Sequence, residues 1–79
     1  MSIFEEIPAG TFIRVLRSKT IDKGTIGKIA RRGGPDEYHR KFYYFTERNS
    51  IVRSVKIGRD RFSVLSPVEQ VAQALIWSS

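Results

Sequence analysis

The densest group of chemistry-bearing residues is "DKGTIGKIARRGG", Asp22 to Gly34, with four glycines and four basic residues in thirteen positions. Glycines bring backbone N–H groups close to a ligand and basic side chains attract anions, so phosphate binding is the first chemistry to weigh. A P-loop needs Gly-Lys followed by Ser or Thr, four residues after an earlier glycine, so that the hydroxyl can hold magnesium. Here Gly27-Lys28 is followed by Ile29 and Gly24 stands three residues earlier, so both hydroxyl and spacing are absent. The Gly24-Thr25-Ile26-Gly27 quartet matches the backbone-gripping loop of KH domains. That loop opens into a helix, and Gly33-Gly34-Pro35 arrives six positions later, which leaves no room for one.

The basic residues themselves are the stronger signal. Lys19 and Lys23 precede the glycine stretch, Lys28 lies inside it, Arg31 and Arg32 close it, and Arg59 and Arg61 flank a later turn. Together they describe a rim for a polyanion, one that positions a backbone without reading bases. Arg40 and Lys41 precede four consecutive aromatics, Phe42-Tyr43-Tyr44-Phe45. Alternation sends one pair inward, Phe42 with Tyr44 or Tyr43 with Phe45. The other pair either packs under a covering element or offers stacking platforms for unpaired bases. Catalysis finds no support: His39 is the one histidine, set beside Asp36, Glu37 and Arg40, which makes neither a metal site nor a triad. No pairing of an acidic residue with Trp suits proline-rich peptides. The expectation is a non-enzymatic protein without cofactor or metal.

The elements that must carry these residues follow from periodicity. Thr11–Arg17, Thr25–Arg31, Arg40–Glu47, Ile51–Ile57 and Arg61–Leu65 read as five short strands separated by tight turns. In the second, Ile29 faces the core, period two puts Thr25 and Arg31 on Ile29's face, and Lys28 points outward. In the fourth, Arg53 shares a face with Ile51, Val55 and Ile57. Gly33 and Gly34 supply a turn in which positive φ is available. At Ser66 the period changes to that of a helix: Ser66 is an N-cap, Pro67 the first helical residue, and Glu69 completes a capping box. Val68, Val71, Ala72, Leu75 and Ile76 then form an apolar stripe over a helix of about 67–77, expected to pack on the sheet or cover a barrel end together with Trp77. Five such strands make a mainly β fold, a small five-stranded antiparallel barrel with a short C-terminal helix, in a single domain over residues 1–79.

The first two strands and their loop resemble the KOW motif of ribosomal proteins and NusG-type transcription factors. Ile13 and Val15 match its alternating pair, and Lys23-Gly24-Thr25-Ile26-Gly27-Lys28-Ile29 matches Lys-Gly-x-x-Gly-x-Val with Ile for Val. The match covers about residues 10–32, and Ser18-Lys19-Thr20-Ile21 stands where a glycine is usual. The resemblance implies an SH3-like barrel that binds RNA, DNA or protein. Within that pattern Gly24 shapes the loop's end, and Gly27 lets the second strand bend where a side chain would clash.

Composition sets the limits. The 79 residues contain no cysteine, so no disulfide or thiolate metal site is available. The first ten residues hold two Glu and no basic residue, the wrong charge for a leader, and no apolar run spans a bilayer; a cytoplasmic, non-membrane protein is expected. The net charge is +6 and uneven: residues 11–34 hold seven basic and one acidic residue, and residues 48–65 hold five and one. A basic chain of this kind expects a polyanionic partner. Low-specificity nucleic-acid binding, DNA or RNA, is the leading expectation, in transcription, translation or a phage-type host takeover. The alternative is docking to an acidic protein such as ferredoxin: "FIRVLR" is similar to the first strand of small SH3-like subunits of photosynthetic electron-transfer complexes. The apolar helix and Trp77 also suggest an oligomer or complex contact.

Overall fold

The computed structural model describes residues 7–34, 41–48 and 54–78. Arg40, His39 with its neighbouring carboxylates, and the stretch 51–53 with Arg53 lie outside the described residues. The elements are β1 (Phe12–Val15), β2 (Ile26–Arg32), β3 (Phe42–Glu47), β4 (Val55–Gly58), a 3-10 turn (Arg59–Arg61), β5 (Phe62–Val64) and α1 (Pro67–Trp77). All five strands join one antiparallel sheet in the order β4-β3-β2-β1-β5. The fold is mainly β with one C-terminal helix, as expected. Among the described residues no ladder joins β4 to β5, so the sheet is curled but open rather than a closed barrel.

The curl follows from the inner face. Ile13, Val15, Ile29, Tyr43, Phe45, Ile57 and Phe62 alternate inward and are sealed from solvent. A flat sheet would hold β3 and β5 about 14 Å apart, three strand spacings. Instead the Tyr43 and Phe62 rings meet edge to face at 5.8 Å, a geometry worth about 1 kcal/mol beyond the area it buries. The sheet therefore packs on itself. The short Arg59–Arg61 turn requires the same, because it passes from one edge strand to the other. Arg59 N–H donates to the Lys41 carbonyl at 3.0 Å, and the Arg61 carbonyl accepts from Leu16 N–H at 2.8 Å, tying the turn to the chain beside β3 and beside β1. Gly27 is a glycine because Phe45 occupies the space its side chain would need: an added Cβ would lie 2.3 Å from the ring. Gly24 takes φ of 90°, as the loop end requires.

The helix is capped as its sequence dictates, with Ser66 and Glu69 completing the reciprocal box. Its seating departs from expectation. The contact with the sheet is led by Gln70 and Trp77, not by the apolar stripe. β5 stops at Val64, and beyond it the Phe12 carbonyl still accepts from Leu65 N–H at 3.2 Å, whereas the Phe12 N–H is left to a side chain. The Gln70 carboxamide supplies it: Phe12 N–H donates to Gln70 Oε1 at 2.8 Å, and Gln70 Nε2 donates to the carbonyls of Phe12 at 2.7 Å and Leu65 at 3.2 Å. One turn-pair further, Trp77 packs edge to face on Phe12 at 5.3 Å. At the other end Glu69 pairs with Arg14 at 2.9 Å. That guanidinium, with the Ser66 hydrogen bonds, holds the Glu69 carboxyl below its ordinary value.

Seating the helix on Glu69, Gln70 and Trp77 rotates the stripe away. Val68, Val71 and Leu75 are 79%, 63% and 67% exposed, and the helix buries no residue fully. The expected packing of the stripe on the sheet is corrected by the stronger demand of an unpaired backbone edge, since an unsatisfied buried amide costs about 1–3 kcal/mol. No helix among the described residues is long and apolar enough to cross a membrane.

This arrangement predicts an inverted pattern of helix mutations in chemical denaturation. Val71→Gln and Leu75→Gln should each change stability by less than about 0.5 kcal/mol. Gln70→Ala should cost about 1–3 kcal/mol by orphaning the Phe12 N–H. Large losses at Val71 and Leu75 with none at Gln70 would show that the stripe is the packed face.

Candidate nucleic-acid interface

The outer face of the sheet is divided in two. α1 covers the β1 side, where Phe12 is buried under Trp77. The β2-β3-β4 side carries the outward members of three strands. Because Tyr43 and Phe45 are buried, Phe42, Tyr44 and Thr46 point outward on β3. This resolves the aromatic run: Tyr43 and Phe45 belong to the core, Phe42 and Tyr44 to the outer face, where they are half-buried. Lys56 points outward on β4, next to the buried Ile57.

Arg31 joins them through a register shift. Strict alternation from Ile29 would send Arg31 inward. Ile29 pairs with Phe45 and Arg31 with Tyr44, so Ala30 is an extra residue, a β-bulge. One inserted residue reverses the face of everything beyond it. The expectation that Arg31 shares Ile29's face is corrected on this ground. Lys28, before the bulge, points outward as expected.

Pairing then aligns the outer residues in cross-strand rows. Lys56, Tyr44 and Arg31 are directly opposite one another across β4, β3 and β2. Thr46, Lys28 and Phe12 form the second row across β3, β2 and β1. In the first, the Arg31 guanidinium lies over the Tyr44 ring, 4.0 Å from its centroid, and the Lys56 ammonium lies 4.2 Å over Phe42. Phe42 and Tyr44 meet edge to face at 5.8 Å. In the second, Lys28 Nζ is 5.2 Å from the Trp77 ring centroid. Each cation is held by an aromatic face, an attraction of about 0.5–1 kcal/mol at exposed sites. The charges are therefore positioned before any ligand arrives.

Gly33 is part of this site. A Cβ there would lie 2.3 Å from the Phe42 ring and 2.5 Å from that of Tyr44, and the glycine has no positive φ. The turn reading of Gly33 is corrected accordingly: the residue is small because the two rings lie against its backbone.

The other expected binding residues are dispersed. Lys19 and Lys23 are exposed in the loop before β2, whereas Arg31 and Arg32 close β2. The five strand residues from Ile26 to Ala30, with Gly24 and Thr25 before them, separate Lys23 from Arg31 by about 20 Å, so no single rim unites them. Arg32 is exposed beside Arg31, and Lys41 is half-buried just before β3. Arg59 is tied into the fold, its guanidinium 5.0 Å over Phe62 and donating to the Phe62 carbonyl at 3.4 Å. Arg61 is exposed on the turn toward the Arg17–Asp60 pair. Sequence reasoning missed Lys56 and the contact of Lys28 with Trp77, although Trp77 packs on the sheet as expected. Period two on Val55-Lys56-Ile57 could have supplied the first, once the pairing of β3 with β4 was known.

The described residues hold no cluster of His, Asp and Glu suited to a metal ion. A cavity of about 540 Å³ beyond the helix is lined by Ile7, Val64, Leu65, Pro67 and neighbours and carries no charged group. Compared with known proteins, the chain matches no family model, no curated protein and no solved structure.

Gly33→Ala should displace the Phe42 and Tyr44 rings while leaving the core strands paired. In NMR spectra the ring-current shifts of Arg31 and Lys56 side-chain protons should collapse toward random-coil values. Unchanged shifts would mean that the rings do not rest on Gly33.

Proposed function

We propose that this protein is a non-enzymatic nucleic-acid-binding module and that its binding surface is the open half of the outer sheet face. The observation that carries the reading is the Lys56-Tyr44-Arg31 row, with Arg31 and Lys56 held over Tyr44 and Phe42. The Arg31 guanidinium lies 4.0 Å over the Tyr44 ring at an exposed position, and bases stack on guanidinium planes as they do on aromatic rings. Lys56 and Lys28 lie on either side to meet phosphates, and counterion release supplies most of the affinity. None of these contacts reads a base edge, so binding is of low sequence specificity. The net charge of +6 favours encounter with any polyanion. The KOW resemblance of residues 10–32 is consistent with this reading, since such modules bind RNA, DNA or protein. Docking to an acidic protein would use the charges but would give no role to the guanidinium–ring pair, which is why nucleic acid is preferred.

Fluorescence anisotropy of labelled mixed-sequence DNA and RNA oligonucleotides, titrated at several salt concentrations, tests the proposal. Two phosphate contacts, at Lys56 and Lys28, predict a log–log salt slope of about −1.4 for a single strand. Arg31→Ala and Lys56→Ala should each weaken binding roughly tenfold. Lys23→Ala, about 20 Å along the sheet and beyond the Debye length at 0.1 M salt, should weaken it less than about twofold. Absence of binding at about 50 mM salt would overturn the proposal and favour an acidic protein partner.

A further inference from the structure

At the seam between the C-terminal end of α1 and the sheet lies a crevice of about 330 Å³, lined by Gly10, Phe12, Lys28, Ala74, Trp77 and Ser78. It adjoins the outer face described above, because Lys28 belongs both to its wall and to the Thr46-Lys28-Phe12 row. Its volume is at the lower end of the range for small-molecule sites, enough for one planar heterocycle. Its walls suit such a group. Trp77 is half-buried and contributes indole surface, and Phe12 fixes that ring edge to face from below. Ala74 and Gly10 keep the walls thin. Lys28 Nζ, 5.2 Å from the indole centroid, supplies the one charge.

We infer that this crevice receives a single unpaired nucleobase from a strand lying on the outer sheet face, with Lys28 meeting the phosphate next to it. The inference rests on the nucleic-acid reading above and adds the form of the ligand: single-stranded rather than duplex. A base in a duplex is stacked on both faces and paired at its edge, so it enters such a crevice only after being unstacked, at a cost of a few kcal/mol. A single strand avoids most of that cost. The geometry of the two rows agrees. They lie two strand positions apart, about 7 Å, so a strand running from the Lys56-Tyr44-Arg31 row toward Lys28 passes directly to the helix seam. The covered half of the face thus forms the end wall of the open half.

Trp77 is the only tryptophan of the chain, so emission excited selectively at tryptophan, away from the three tyrosines, reports this crevice. The test titrates the full chain with a twelve-residue oligothymidylate, the matching oligouridylate, and a blunt duplex of the same length. Anisotropy of the labelled oligonucleotide and Trp77 emission are followed together. Both single strands should bind about tenfold more tightly than the duplex and quench Trp77 as they do so. A difference between the two single strands reports whether the ligand is DNA or RNA. Ala74→Leu, a good helix former at an exposed position, should fill the crevice. It should remove the quenching and the preference over duplex, while binding through Arg31 and Lys56 persists. Binding with unchanged Trp77 emission, or equal affinity for duplex, overturns this inference and leaves the wider reading standing. Quenching that survives in Ala74→Leu also overturns it, by placing the emission change outside the crevice. No binding by any oligonucleotide overturns both.

Discussion

One side-chain amide decides how the two parts of the molecule meet. Gln70 continues the hydrogen-bonding edge of β1 where β5 ends, donating to and accepting from the same residue, Phe12. A backbone N–H left open beneath a helix is costly, and a carboxamide carries its donor and its acceptor on two adjacent atoms, so it can meet an N–H and a carbonyl at once. Once Gln70 is bound, helical geometry fixes the rest. Position 77, two turns on, must land over Phe12, and positions 68, 71 and 75 must turn away. The helix thereby covers one half of the outer sheet face and leaves the other half free.

The free half acquires its character from a second local event, the bulge at Ala30. Without it Arg31 would point toward the core and β2 would present no cation opposite Tyr44. With it, an arginine, a tyrosine and a lysine align across three strands. The cations do not compete with the aromatic rings for ligand but lie on them, so charge and flat surface coincide. Such preorganisation lowers the entropy lost when a flexible polyanion is bound. Gly33 allows the rings to lie low enough for this to happen.

Much of this was legible in the chain. The five strands, the helix from Pro67 to Trp77 and its capping box follow from period and cap chemistry, which are local. Gly24 and Gly27 were read correctly as architecture. Three things were not local and so were not legible. The bulge is one residue long, and alternation across Ile29-Ala30-Arg31 looks regular until β3 fixes the register. The outward pair of the aromatic run depends on which pair meets Phe62 from the far edge of the curled sheet. The seating of the helix is not legible because an apolar stripe is the usual anchor, whereas here the anchor is Gln70, whose role appears only once the Phe12 N–H is found to need a side-chain partner. For the same reason the basic residues, equivalent in sequence, separate into those held on rings, such as Arg31 and Lys56, and those on distant turns, such as Lys23.

The central claim is that the open half of the outer face meets a nucleic-acid strand. Backbone and side-chain NMR shifts of the isotope-labelled protein, followed as an unlabelled single-stranded oligonucleotide is added, test it most directly. The account predicts saturable shifts concentrated at Lys28, Arg31, Phe42, Tyr44 and Lys56. Shifts concentrated at Lys19, Lys23 and Arg61, or along Val68, Val71 and Leu75, would contradict it, as would no shift at all.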